Sequence, residues 1–118
     1  VQEIRDDYLP RLTEEGEKRG RKIALGSWMY SVITPGRDMP DEEIDAHFGT
    51  LMNMEIAVKP SDVTISGSPE QCAATIRAFM DAGLDFITLD FSRHGLDTCE
   101  TTISQMDVFV EEVVPLLS

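Results

Sequence analysis

Apolar residues along this chain fall in two kinds of stretch, one at helical spacing and one a short continuous β-prone run, and the two alternate. The run Ser66–Phe91 shows the alternation most plainly. Cys72, Ile76, Phe79 and Met80 fall at helical spacing, with Ser68 before them as an N-cap. Pro69 takes the first helical position, where a missing N–H is harmless, and Gln71 completes a capping-box pattern. Gly83 supplies a left-handed stop, and Phe86–Phe91 is a short β-prone apolar run. Helix, glycine and strand joined by so short a turn make half of a βαβ unit.

The remaining segments read the same way. Residues 1–21 predict a helix with Ile4, Tyr8, Leu9 and Leu12 on one face, kinked or divided at Pro10. Glu14, Glu15 and Glu17 lie within pairing distance of Lys18 and Arg19, and Gly20 closes the segment. Lys22–Ile33 predicts a strand that is apolar on both parities, as in a parallel sheet covered on both faces. Ile23, Leu25, Ser27 and Met29 share one side; Ala24, Gly26, Trp28 and Tyr30 share the other. Residues 34–38 form a turn.

A second helix is expected from about Pro40 to Ile56, with Asp41, Glu42 and Glu43 suiting its dipole. Ile44, Phe48, Leu51, Met52 and Ile56 would be its buried face, weakened by Gly49. Residues 59–62 read as a turn and Val63-Thr64-Ile65 as a very short strand leading to Gly67. A polar loop, Ser92–Leu96, precedes a last helix capped by Asp97 with Glu100 completing the box. Its buried stripe would be Ile103, Met106, Val110, Val113 and Leu117, with Phe109 beside it. The alternating order predicts parallel α/β structure in a single domain, residues 1–118.

The stretch Gly67-Ser68-Pro69-Glu70-Gln71, the Ala-rich helix after it, Ala82-Gly83-Leu84-Asp85-Phe86 and the closing Phe109–Leu117 resemble the C-terminal part of the luciferase-like monooxygenases. That resemblance implies a (β/α) barrel and a flavin- or deazaflavin-dependent oxidoreductase. It covers Gly67–Leu117 and is only topological upstream. A whole barrel needs about 250 residues, so the chain would be roughly the last three βα units of one. Val1 in place of an initiator Met fits a processed or partial polypeptide. FMN or deazaflavin would belong to the full enzyme, with none bound by this chain alone.

Composition narrows the partners. A net charge of −12, from 22 acidic and 10 basic residues, argues against nucleic acid and anionic membrane surfaces. No apolar run approaches the ~20 residues of a membrane span, and no signal-peptide pattern opens the chain. Cys72 and Cys99 are too few for a disulfide framework or zinc site, which points to the cytoplasm. A small-molecule substrate is expected, with a homo-oligomer or a separate N-terminal half completing the fold.

Candidate chemistry belongs in the loops at the C-terminal strand ends. Arg93 and His94 lead as catalytic residues, a cation beside an imidazole that could hold an anionic or enolate-like group. No partner carboxylate can be placed for them, which leaves a solvated loop pair as the plainer alternative. Trp28 and Tyr30 could line a flavin or apolar substrate pocket, or else be ordinary packing. Gly67 and Ser68 could perch a cofactor phosphate at a helix N-terminus, or simply cap the helix. Asp90 inside an apolar strand suits a structural role, Cys72 an inert hydrophobe, and the six methionines core filler. Cys99 lacks a basic neighbour, and His47 lacks a spaced metal partner. The alternative function is a stand-alone, non-catalytic α/β assembly module pairing through open sheet edges.

Overall fold

The computed structural model describes residues 1–48, 59–92 and 98–118. Its centre is a three-stranded, all-parallel sheet in the order β2-β1-β3, formed by β1 (Gly26–Ile33), β2 (Ile65–Gly67) and β3 (Phe86–Asp90). β1 pairs with β3 from Gly26↔Phe86 to Tyr30↔Asp90, and with β2 from Ser31↔Ile65 to Ile33↔Gly67. The parallel α/β class is therefore as the alternating pattern predicts. In a barrel, consecutive strands are neighbours; here β1 separates β2 from β3, as in an open doubly wound sheet.

β1 begins at Gly26, four residues later than the apolar pattern suggests. The lead-in is held by side-chain chemistry instead: Asp85 accepts from Leu25 N–H at 2.8 Å and pairs with Lys22 at 2.7 Å. Asp85 N–H in turn donates to Leu25 C=O at 2.7 Å, so the start of β3 is pinned beside the start of β1.

Helix α4 (Pro69–Ala82) forms as its sequence dictates. Ser68 accepts from Gln71 N–H, the Gln71 side chain accepts from Ser68 N–H, and Gly83 ends the helix at φ 118°. α1 (Leu9–Arg19) is preceded by a π-turn over Ile4–Tyr8, in which Leu9 N–H bonds the Ile4 carbonyl. The next residue is Pro10, whose ring would clash with a carbonyl four residues back in a regular helix. A widened turn removes the clash, so the proline neither divides nor stops the helix. The same device recurs at the other end. After α5 (Cys99–Val108), a π-turn over Phe109–Val113 puts Val114 N–H on the Phe109 carbonyl directly before Pro115. A 3₁₀ turn, Val114–Leu117, follows.

That second π-turn overturns part of the expected stripe. Widening the turn shifts the helical phase, so residues before and after it no longer share one face. Val113 is fully buried, whereas Ile103, Met106 and Val110 are exposed, Val110 at 63%. Leu117 and Phe109 meet the core as expected, and Val108 joins them. The cap of α5 is Thr98, whose hydroxyl accepts from Thr101 N–H at 3.2 Å, not Asp97 with Glu100.

α2 is described over Asp41–Phe48; the rest of the expected helix, with Leu51, Met52 and Ile56, lies outside the described residues. Residues 60–63 are not a turn leading into a strand but a single helical turn, α3 (Pro60–Val63). Pro60 starts it, Ser61 N–H bonds Asp45 at 2.8 Å, and Thr64 Oγ1 returns to Pro60 C=O at 2.8 Å. β2 then runs from Ile65.

The main core lies on the face of β1 that carries Met29 and Ile33. It joins them to Ile65, to Cys72, Ala73, Ile76 and Phe79 of α4, and to Leu84, Phe91 and Val113. A smaller cluster of Met39, Ile44 and Phe48 takes Tyr30 and Val32 on the opposite face. Among the described residues that second layer covers only the C-terminal part of β1. Trp28 and Phe86 are 54% and 55% exposed, so the N-terminal half of this face is open rather than covered. Two methionines, Met29 and Met39, are core; Met80 and Met106 are exposed.

Candidate functional site

Because all three strands are parallel, their C-terminal ends gather on one edge. At the β2–α4 junction, Ser68 Oγ donates to Asp38 Oδ1 at 2.6 Å and accepts from Gln71 N–H at 3.2 Å. Gln71 Oε1 accepts from Ser68 N–H at 3.0 Å and Met39 N–H at 2.8 Å, while its Nε2 donates to Met39 C=O at 3.1 Å. One amide thus caps α4 and docks the 34–39 loop onto it.

The geometry requires Gly67. Its φ is 108°, and a Cβ there would lie 2.0 Å from Gln71 Oε1. The positive end of α4 already faces a carboxylate of the same chain, Asp38, which a cofactor phosphate would have to displace. The loop itself is clamped by Arg37, whose guanidinium grips Glu43 at 2.9 and 2.6 Å. That pairing holds the Glu43 carboxyl below its usual range.

The second feature is an aromatic row on the partly open face. Trp28 meets Tyr30 edge-on at a centroid separation of 4.7 Å, and Tyr30 lies 5.9 Å from Phe48. His47 packs edge-on against Phe48 at 4.8 Å, as a boundary residue of α2. Tyr30 is the register partner of Asp90. Burial, and secondarily the Asp90 charge, push the Tyr30 hydroxyl above its ordinary pKa. Asp90 Oδ1 is anchored by Ser92, accepting from its N–H at 2.8 Å and its hydroxyl at 2.6 Å. An exposed indole beside a half-buried phenol and a fixed carboxylate can stack a planar ligand and accept a hydrogen bond from it.

The sequence-derived candidates are brought together only in part. Trp28 and Tyr30 are neighbours in this row. Gly67 lies opposite Ile33, three residues along β1 from Tyr30 and on the other parity, so Gly67 and Ser68 form a separate feature of the same edge. Arg93 and His94 lie outside the described residues, in the segment that follows Ser92. Asp38 and Gln105 belong to this edge without having been singled out. Gln105 of α5 accepts from Ile33 N–H at 2.7 Å and donates to Ile33 C=O at 3.0 Å, extending the ladder where β3 has ended. A polar residue one position from an expected apolar stripe was the available signal for it.

The two thiols lie in different surroundings. Cys72 is buried, its Sγ 3.6 Å from Gly67 C=O, and burial pushes its pKa up to about 12. Cys99 is exposed in the first turn of α5. Among the described residues, no cluster of His, Cys, Asp and Glu could hold a metal ion, and no helix is long and apolar enough to cross a membrane. A cleft of about 630 Å³ opens at the opposite edge of the sheet, between α1 and the strand starts. Leu9, Leu12 and Ile23 floor it and the Lys22–Asp85 pair borders it, away from the strand ends. No family model matches the chain, and no curated protein matches it.

Proposed function

We propose that this chain is the C-terminal portion of a flavin-dependent, luciferase-like oxidoreductase or monooxygenase of the cytoplasm, acting on a small organic substrate once further strands complete its sheet. The observation that supports the reading is the open half-face carrying Trp28, Phe86 and Thr88. Parallel sheets are stable when both faces are covered. In a partial barrel this face would be the interior, with α4 outside and the C-terminal strand ends toward the cofactor. By contrast, α2, packed over Tyr30 and Val32 on this same face, fits helices on both sides of an open sheet.

On that reading Trp28 and Tyr30 border the ring system of FMN or a deazaflavin, Gly67 and Ser68 lie toward its phosphate, and Arg93 and His94 serve the reacting centre. The isolated chain binds neither cofactor and is inactive, because most of the barrel is supplied elsewhere.

The strand order favours a second reading. β1 lies between β2 and β3, where a barrel would set β2 against β3. A non-catalytic α/β assembly module, pairing through its sheet edges, accommodates that order directly.

Flavin titration separates the two. Reduced FMN and a deazaflavin are added to this chain and to the product of the full reading frame that encodes it, following flavin absorbance and Trp28 fluorescence. Stoichiometric binding and substrate-dependent flavin reoxidation in the longer protein alone is the expected result. A longer protein that binds no flavin, or a frame that encodes no further strands, overturns the oxidoreductase and leaves the assembly module. Tight binding by the 118-residue chain overturns its proposed dependence on missing strands.

A further inference from the structure

We infer that the outer edge of β3 is a docking site for an extended, apolar strand with basic ends from a partner polypeptide. The inference rests on the incomplete sheet common to both readings above and on the chemistry of neither.

The two sheet edges are built differently. β2 is three residues long and fully buried, so it offers little edge to pair with. β3 is five residues, Phe-Ile-Thr-Leu-Asp, with neither the lysine nor the proline that blunts exposed edges. Among the described residues no strand pairs with its outer side.

The helical layer next to β3 also leaves a gap. A groove of about 180 Å³ is lined by Ile87 and Leu89 of β3, Ile76 and Met80 of α4, and Phe109 and Leu117 of the C-terminal segment. Met80, on its wall, is 43% exposed. On the opposite face, Phe86 stands open beside Thr88. An added strand would place side chains of one parity in the groove and those of the other beside Phe86, Thr88 and Asp90, as the two-residue period of a strand requires.

Charge selects the occupant. The chain carries −12 and β3 ends in Asp90, while Asp85 at its start is already paired with Lys22. A second copy would bring −12 against −12 across a short edge, which repels. A strand with Lys or Arg at its ends would instead set a cation beside Asp90, a favourable cross-strand pair.

The test uses two blocked heptapeptides, Lys-Val-Thr-Ile-Thr-Val-Lys and Glu-Val-Thr-Ile-Thr-Val-Glu, with amide hydrogen exchange of Phe86–Asp90 as the readout. The basic peptide is expected to bind and slow exchange along β3, and the acidic one to bind about tenfold more weakly at low salt. Met80→Lys, at an exposed position that leaves the circular dichroism unchanged, should weaken the basic peptide about tenfold by setting a charge in the groove. Equal binding of both peptides, protection confined to residues outside β3, or no binding overturns the inference. So does an unliganded chain that sediments as a dimer with β3 already protected, since the occupant is then a second copy. A failed flavin titration leaves every one of these outcomes unchanged.

Discussion

The ring of Phe86 lies across the backbone of Gly26. The two are register partners on β3 and β1, and a Cβ added at Gly26 would come within 2.1 Å of the ring. The aromatic covers backbone that a glycine leaves bare, on the part of this face beyond the cluster of Met39, Ile44 and Phe48. Because the ring is more than half exposed, it can swing aside at little cost. Gly26→Ala and Phe86→Ala should therefore each destabilise by about 1 kcal/mol or less, with a coupling of about 0.5–1 kcal/mol in a double-mutant cycle read by urea denaturation. Strict additivity would mean that the ring does not shield the glycine.

Gln71 carries more. Truncation to Ala strands Ser68 N–H and both backbone groups of Met39 in a partly buried junction. A loss of about 1–3 kcal/mol is expected, larger than the ~1 kcal/mol of an ordinary cap deletion. Gln71→Glu keeps the acceptor but loses the donor to Met39 C=O, and should fall between wild type and Gln71→Ala. Thermal denaturation of the two variants ranks them; equal losses would show that the Nε2–Met39 bond contributes nothing.

The same residue shows how much of the molecule can be read locally. Ser68, Pro69, Gln71 and Gly83 mark α4 because caps and stops act within one turn of the chain. The link from Gln71 to Met39 spans 32 residues and leaves no trace in a local pattern. Strand order is lost for the same reason: the start of β3 is set beside β1 by Asp85, 60 residues from its Leu25 partner. The exposed ridge of Ile103, Met106 and Val110 was missed because periodicity assumes an unbroken α-helix, and Pro115 imposes a wider turn. At the site, Trp28 and Tyr30 were found as aromatics on one strand parity. Asp38 and Gln105 were not, since each acquires its role from a partner distant in sequence.

Acid should loosen the molecule through Asp85. The Lys22 ammonium, then the Leu25 N–H, hold its carboxyl below the ordinary range, which lies near 3.9 in an unfolded chain. A carboxylate with a lowered folded pKa contributes stability in full above the unfolded value. That contribution is lost as pH falls through the folded one. Glu43, lowered by Arg37, acts with the same sign. Urea midpoints should therefore hold steady above about pH 5 and drop below about pH 4. Asp85→Asn should flatten part of that drop, and an acid limb identical to wild type would remove Asp85 from the account.

The two thiols should separate cleanly. Cys99 is exposed and should react with a disulfide-exchange reagent in the native state. Cys72 is buried with its pKa raised to about 12, so the reactive thiolate is scarce and the sulfur is out of reach. One thiol should thus titrate quickly and the second only at the rate of unfolding, with Cys99→Ser abolishing the fast phase. Two fast thiols would show that the α4 layer opens readily over the main core.

Trp28 is the single tryptophan and sits on the open face, which makes it a direct reporter on whether that face is covered. About half of the indole is still covered and it meets Tyr30 edge-on, so Trp28→Ala should cost about 1–2 kcal/mol in the isolated chain. Anything that covers the face, whether further strands or a planar cofactor stacked on the Trp28–Tyr30 pair, must desolvate the indole. Its emission should then shift to the blue and its quenching by acrylamide should fall, while Tyr30→Phe, which keeps the ring and loses the hydroxyl, should preserve both changes. An isolated chain whose Trp28 is already blue-shifted and protected would mean that the face is covered without any partner, and the uncovered sheet that supports the proposed function would be gone.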